Sequence, residues 1–200
     1  DVLLEARGDA SDVILGTNAN LSSGSGNVTI TADDDVDLDA NVSTGGGHVY
    51  VLSLNKTTGG AADGVDMAEG TSVSSGGGDV LVRASGDGHI LLSSIDATGG
   101  DVALIADGDI LDNNDGGTPG TLNVQAAGLL MVADADADAA ANGGTIGESN
   151  VLATRDTDAN TNAIDTKVTT LAASSAEGFQ VSEQRQTADG SIELVVTRWS

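Results

Sequence analysis

The sequence predicts an all-β fold, a parallel β-helix in which short strands stack rung upon rung. Two observations carry this prediction: a glycine-rich corner phrase recurs along the chain, and an alternating apolar segment follows each copy. Composition is a third observation, because 28 glycines accompany a single Trp, a single Tyr and a single Phe. A core with so little aromatic bulk must be narrow and filled by aliphatic side chains.

The corner phrase occurs as "LSSGSGNV", "VSTGGGHV", "VSSGGGDV" and "IDATGGDV", at residues 21–28, 42–49, 73–80 and 95–102. In each copy the glycines are a candidate phosphate loop or a candidate turn. A phosphate loop opens a helix and usually carries a lysine. The triplet at 76–78 instead precedes a strand pattern, and Asp79 follows it. The phrase therefore predicts a turn, in which glycine permits positive φ and Asn or Asp caps the corner.

The first strand of each rung follows the corner, and its alternation predicts three inward columns. The first column contains Val2, Val28, Val49, Val80, Val102 and Leu122. The second contains Leu4, Ile30, Val51, Val82, Leu104 and Val124. The third, of mostly small residues where the chain bends, contains Ala6, Ala32, Ser53, Ala84, Ala106 and Ala126.

Two shorter strands complete each rung after a polar corner rich in Asp and Gly. The second strand has these apolar markers: Val13 and Leu15, Val36 and Leu38, Ile90 and Leu92, Ile110, then Leu130 and Val132. The third strand has the markers Leu21, Val42, Val73 and Ile95. Three short strands in about 22 residues describe a parallel β-helix, whose rungs are stable only against their neighbours.

The spacing of the rungs predicts the domain organisation. The interval from Val49 to Val80 is about ten residues longer than the other regular intervals, which predicts a loop insertion at about 55–72. We expect one domain over 1–200, with regular rungs over 1–132 and irregular rungs over 133–200. We also expect it to be cut from a much longer protein.

The net charge of the chain restricts the classes of partner that it can bind. The chain has 31 acidic and 7 basic residues and a net charge of -24, so nucleic acid and anionic membrane surfaces would repel it. No apolar run reaches the length of a membrane span. Cysteine is absent, which excludes a disulfide framework.

Acidic clusters in "DDDVDLD" and "DADAD" are the candidate metal site. Calcium takes six to eight oxygen ligands, and alternating carboxylates on one strand face can supply several of them. The candidate ligands are Asp33, Asp35, Asp37, Asp134 and Asp136. The alternative is a solvated acidic surface. Calcium is the only candidate cofactor, and we interpret His48 and His89 as incidental corner residues.

Catalysis is not expected, although polysaccharide lyases and polygalacturonases use this fold. The polygalacturonase set pairs Asp residues with a Gly-His-Gly and an Arg-Ile-Lys segment. The segment "GDGHI" lacks the second glycine after His89, and no Arg-Ile-Lys segment occurs. The prediction is therefore no enzyme and no catalytic residue, with a polysaccharide-acting enzyme as an alternative.

An outward apolar group interrupts the polar exterior. Its members are Tyr50, Leu52, Leu54, Leu81 and Ile105. We expect the insertion at 55–72 to cover this group. A lateral protein contact is the alternative.

Several phrases together resemble a known family. The corner phrase followed by "DVALIADGDI", and then "GGTIGESNVLATR" leading to "VTTLAASSAEGFQVSE", resembles the β-helical repeats of filamentous haemagglutinin-like large bacterial exoproteins. The resemblance implies a right-handed parallel β-helix, secretion to the cell surface, and a role as stalk or adhesin. The partners it implies are other copies or segments of the same protein, or a host or neighbouring cell surface. A calcium-dependent binding or assembly module is the alternative function.

Overall fold

The computed structural model describes residues 1–55, 64–114, 122–135, 144–147, 163–186 and 192–199. These residues form strands joined by tight corners, and no helix occurs among them. The strands are β1 Val2–Ala6, β2 Val13–Leu15, β3 Leu21–Ser23, β4 Val28–Ala32, β5 Val36–Leu38, β6 Val42–Thr44, β7 Val49–Ser53, β8 Gly64–Met67, β9 Ser72–Ser74, β10 Val80–Ala84, β11 His89–Leu92, β12 Ser94–Ala106, β13 Ile110–Asp112, β14 Val124–Val132, β15 Thr145–Ile146, β16 Ile164–Lys167, β17 Thr170–Ser174, β18 Gly178–Gln186 and β19 Ile192–Trp199.

The strands pair in parallel, and the early ones each pair with the strand three places later in the chain. This pairing produces three ladders. The first ladder contains β1, β4, β7, β10, the second halves of β12 and β14, and β17. The second contains β2, β5, β8, β11, β13, β15 and β18. The third contains β3, β6, β9, the first halves of β12 and β14, and β16.

The last two strands depart from this arrangement. β18 pairs in parallel with β15 and β16, whereas β19 pairs with β18 in the antiparallel direction, from Phe179 opposite Trp199 to Gln186 opposite Ile192. The protein is therefore all-β and largely parallel, and an antiparallel strand pair ends the described chain.

The register confirms the predicted columns through the first five rungs. Val2 pairs with Val28, Val28 with Val49, Val49 with Val80, and Val80 with Val102. The second and third columns follow in the same strands. Ser53, the exception in the alanine column, is fully buried, and its Oγ donates to the Asp34 carbonyl at 2.7 Å. Its hydroxyl therefore has a partner, which removes the main cost of a buried polar group.

The prediction for the sixth rung is wrong. Val102 pairs with Leu129 rather than Leu122, and Leu104 pairs with Met131. Val124 and Ala126 instead pair with Ile95 and Ala97, in the third ladder. The reason is a shortened corner: Thr98, Gly99 and Gly100 separate Ala97 from Asp101, whereas only Ala127 separates Ala126 from Gly128. The prediction was right that Val124 and Ala126 face inward, but it placed them in the first ladder, and they belong to the third.

The same shift overturns the assignment of Leu130 and Val132 to a second strand. Both lie in the first ladder, opposite Ala103 and Ile105, which are outward positions. Leu130 is accordingly 41% exposed, while its neighbours Leu129 and Met131 are buried.

The predicted insertion contains a strand that the sequence pattern had not revealed. Residues 56–63 lie outside the described residues, but Gly64–Met67 form β8. Val65 pairs with Val36 and Ile90, and Met67 pairs with Leu38. The second ladder is therefore continuous through this rung.

The core is a strip of aliphatic side chains between the three ladders. Its largest members are almost wholly buried, among them Ile30, Leu38, Met67, Ile90, Leu104 and Ile164. Burying apolar area at roughly 25 cal/mol per Å² makes this strip the main source of stability. Within the described part of the chain, a helix long and apolar enough to cross a bilayer does not occur.

Candidate functional site

Polar side chains link successive rungs where the strands of the first ladder begin. Asp1 Oδ1 accepts a hydrogen bond from Asn27 N at 2.7 Å, and Asn27 Oδ1 accepts one from His48 N at 2.9 Å. His48 Nδ1 accepts from Asp79 N, and Asp79 Oδ1 accepts from Asp101 N, both at 3.0 Å. We name this row the first acceptor ladder. Each side chain satisfies a backbone N–H of the next rung, one residue before the first inward valine of that rung.

A second acceptor ladder runs along the start of the second-ladder strands. Asp12 Oδ1 accepts from Asp35 N at 3.2 Å, and Asp35 Oδ1 accepts from Gly64 N at 2.7 Å. Gly64 has no side chain to continue the row, and a Cβ there would overlap the backbone of His89. The row resumes at His89, whose Nδ1 accepts from Asp109 N at 2.8 Å.

A third acceptor ladder precedes the third-ladder strands and uses asparagine. Asn20 Oδ1 accepts from Asn41 N at 3.0 Å, and Asn41 Oδ1 accepts from Ser72 N at 2.9 Å. Further along, Asn123 Oδ1 accepts from Asp165 N at 2.8 Å. Neighbouring strands lie about 4.8 Å apart, a gap that the short side chains of Asn and Asp can bridge. Spatial stacking thus explains why these residue types recur at the corners.

A column of glycines lies one residue before the first acceptor ladder. Its members are Gly26, Gly47, Gly78 and Gly100. A Cβ on Gly78 would overlap the carbonyl of Gly47, and a Cβ on Gly100 would overlap that of Gly78. Gly76 and Gly77 have φ values of 62° and 118°, which confirms the predicted turn. The glycines of "VSSGGGDV" therefore allow two corners to approach closely.

The turn is capped from within, and Asp79 does not supply the cap that the sequence suggested. Ser75 is fully buried and its hydroxyl donates to the Gly78 carbonyl. In the preceding rung, Thr44 Oγ1 accepts from Gly47 N at 3.1 Å and donates to Gly26 O at 2.7 Å. Asp79 instead holds the next rung through its carboxylate.

The predicted metal ligands are distributed over separate positions. Asp33 Oδ2 accepts from Gly8 N at 2.8 Å, and Asp35 belongs to the second acceptor ladder. Asp37 is half-buried on the outward side of β5, and Asp134 follows β14 with a φ of 60°. Asp136 lies outside the described residues.

The structure brings together a different acidic trio. Oxygen atoms of Asp12, Asp34 and Asp35 lie within 4.8 Å of one another, so Asp35 alone comes from the predicted set. The sequence offered one signal for Asp12, since it precedes Val13 as Asp35 precedes Val36. Two of these carboxylates already accept backbone hydrogen bonds. Calcium binding therefore stays a prediction, which calorimetric titration tests by heat released and by a rise in melting temperature.

The pKa values of two aspartates, Asp37 near this trio and Asp109 in a later rung, shift in opposite directions. Burial, with the neighbouring Asp12 and Asp39, raises the pKa of Asp37. At Asp109, burial also acts to raise the pKa, but the contact with His89 and the hydrogen bonds from Thr145 outweigh it and lower the pKa. Asp109 Oδ1 accepts from Gly144 N at 2.7 Å and from Thr145 N at 2.8 Å.

The interpretation of the two histidines as incidental is wrong, because both are members of acceptor ladders. His48 Nδ1 also lies 3.4 Å from Asp79 Oδ2, and His89 Nδ1 lies 3.2 Å from Asp109 Oδ2. In each case the same nitrogen accepts the backbone N–H of the aspartate.

The outward apolar group lies on the first ladder. Tyr50, Leu52, Leu81 and Ile105 are half-buried, and Leu54 is 42% exposed. The expected cover was the insertion at 55–72, of which residues 56–63 lie outside the described residues and Gly64–Met67 belong to the second ladder. Comparison of the chain with known protein families, with curated proteins and with solved structures finds no match. The likeness to haemagglutinin-like exoproteins thus stays a resemblance carried by the quoted phrases.

Proposed function

We propose that the chain is a structural segment of a large secreted or cell-surface bacterial protein. In this proposal the parallel stack is a right-handed β-helix with three short strands per rung of about 22 residues. The segment acts as a stalk, or as part of an adhesin or fibre, and has no catalytic role. Its partners are other copies or segments of the same protein, or a host or neighbouring cell surface.

The observation that carries the proposal is the repetition of the same contacts at successive rungs. Val28, Val49 and Val80 repeat one core contact, and the acceptor ladders repeat one polar contact beside it. A chain in which each unit contacts only its neighbours can be extended by adding units. This property suits a spacer that must hold a fixed distance.

Surface chemistry supports the same role. A net charge of -24 keeps a long protein hydrated and disfavours contact with nucleic acid and with anionic lipid. The histidines and many corner aspartates are engaged in holding rungs together, which gives these groups a structural use. The sequence also lacks the basic clusters that enzymes acting on anionic polysaccharides need.

Two experiments test the two parts of the proposal. For the fold, small-angle scattering should give an elongated particle of constant cross-section, and circular dichroism should show strand without helix. A compact particle or a helical spectrum would contradict it. For the role, antibodies against this segment should label intact cells that express the full-length protein. Labelling that needs cell lysis would reject a surface stalk.

The alternatives from the sequence have tests of their own. Incubation with pectins and alginates tests a polysaccharide-acting enzyme, since chain cleavage would establish catalysis. Calcium-dependent assembly would appear as a change in sedimentation on addition of calcium, reversed by a chelator.

A further inference from the structure

An apolar groove crosses the outward face of the first ladder. Its volume is about 460 Å³. Its apolar floor is built from register partners on four strands, Tyr50, Leu81, Ala103 and Leu130. Leu130 is 41% exposed, although hydrophobic burial is favourable, and the chain as a whole has a net charge of -24. The floor is therefore a continuous apolar surface on a chain that is acidic overall.

Two carboxylates form one rim of the groove. Asp79 and Asp101 line it, and the Asp79 side chain is 58% exposed. Asp79 uses Oδ1 to accept from Asp101 N, and its Oδ2 lies 3.4 Å from His48 Nδ1. Negative charge thus stands beside the apolar floor at two successive rungs.

Gly128 keeps this rim open. It occupies the position after Asp101 in the first ladder. A Cβ at Gly128 would lie 2.8 Å from Asp101 Oδ1 and 3.0 Å from Thr170 Oγ1. Glycine therefore leaves the carboxylate of Asp101 room to face the groove, where a larger residue would displace it.

We propose that this groove binds a short peptide segment of a partner protein in which lysine or arginine stands beside apolar side chains. The apolar side chains cover Leu81, Ala103 and Leu130, and the cation pairs with Asp79 and Asp101. The long stem of lysine or arginine can cross apolar surface and still place its charge at the rim. Charge complementarity between the acidic rim and the cationic segment is the argument for this occupant.

Other occupants fit the charges less well. A second copy would bring another net charge of -24 to the same face, so mutual repulsion opposes self-association. Acidic polysaccharide would meet the same repulsion, and Tyr50 is the one aromatic side chain in the groove lining available for sugar stacking. The proposal does not depend on the stalk role, since a groove of this kind can serve any parent protein.

The test uses the full chain and three fluorescein-labelled peptides, followed by fluorescence anisotropy at moderate salt. One peptide combines leucine with lysine, the second leucine with glutamate, and the third serine with lysine. We expect only the leucine and lysine peptide to bind, because it alone supplies both apolar contact and positive charge. Equal binding of the serine and lysine peptide would overturn the groove and indicate a purely electrostatic attraction.

Groove variants and matched controls locate the binding. We expect Leu130→Ser and Asp101→Asn each to weaken binding by about fivefold, since each removes one contact at the surface. The controls Ile14→Ser and Asp39→Asn alter an exposed apolar and an exposed acidic residue away from the groove. The proposal fails if the controls weaken binding equally. It also fails if sedimentation shows self-association that Leu130→Ser abolishes, which would make a second copy the occupant. Melting temperatures confirm that each variant is folded.

Discussion

The first five rungs and the region from β14 onward share one core but differ at their corners. In the four rungs after the first, a glycine of the column and an acceptor side chain come directly before the first-ladder residues Val28, Val49, Val80 and Val102. At β14, as at β12, the chain passes from the third ladder to the first without a break in the strand, but the corner residues of β14 are Ala127 and Gly128. The core column nevertheless continues from Val102 to Leu129. Core packing therefore tolerates the loss of a corner, while the corner chemistry sets where the chain turns.

The largest expected effect is at the glycine column, and it separates corner chemistry from core packing. Replacing Gly78 with Val should lower the free energy of unfolding by about 3 kcal/mol or more, because the new side chain would collide with the Gly47 carbonyl. Gly24→Val is the matched control, since nothing lies within 4 Å of a Cβ at Gly24. Urea unfolding measures both. Equal losses would show that close approach of the corners is unimportant.

A smaller loss of stability is expected from removing Asn123, an acceptor side chain that the region around β14 retains. Asn123 is fully buried, accepts from Asp165 N, and donates to Ser93 O at 3.1 Å. Asn123→Ala should cost about 2 kcal/mol, because buried partners lose their hydrogen bonds. Asn20→Ala, at the exposed start of the same ladder, should cost under about 1 kcal/mol. Comparable costs would mean that burial does not govern the acceptor ladders.

Removing a single exposed member of the first acceptor ladder should lower the free energy of unfolding by still less. Asp79→Ala removes the acceptor for Asp101 N and should cost about 1 kcal/mol. Asp79→Asn keeps an oxygen in place and should retain most of that stability. Thermal unfolding of the two variants distinguishes hydrogen bonding from charge. If Asn is as damaging as Ala, the negative charge rather than the acceptor matters.

The smallest expected effect is the pH dependence of two aspartates with opposite shifts. The folded-state pKa of Asp109 is lowered, so its contribution is present above the unfolded pKa and is lost as pH falls through the folded value. Asp109→Asn should therefore lower the free energy of unfolding at neutral pH. The stability of this variant should also fall less than that of the unchanged protein as the pH is lowered.

Asp37 has a raised folded-state pKa, so its ionisation opposes folding above that value. Asp37→Asn should leave acid stability unchanged and slightly raise stability at neutral pH. Unfolding free energies across the acidic range test both variants. A lower unfolding free energy of Asp37→Asn at neutral pH would contradict a raised pKa at Asp37.

The sequence predicted the rungs where period-two alternation follows an intact corner. Val28, Val49 and Val80 were aligned correctly because each follows the same glycine phrase. The pattern failed at β14, where a two-residue deletion moved the turn without disturbing the alternation. It also missed Val65 and Met67, which come directly after an insertion that hides their rung.

The polar contacts were harder to predict than the core. His48 and Asp79 are 31 residues apart, and their contact exists only because the rungs stack. A corner side chain gives no local sign of whether it faces water or the next rung. The acidic trio has the same origin, since Asp12 meets Asp34 and Asp35 through the pairing of β2 with β5.

The direction of the acceptor bonds has a mechanical consequence. They join one rung to the next, as the backbone bonds between strands also do, so a pull along the stack loads the interfaces between rungs in series. A chain of this kind separates first at its weakest interface. The interface of β14 with β17 lacks an acceptor side chain at Gly128, where the preceding rungs carry Asp79 and Asp101. We expect tension to open the molecule there, leaving the early rungs as one intact block.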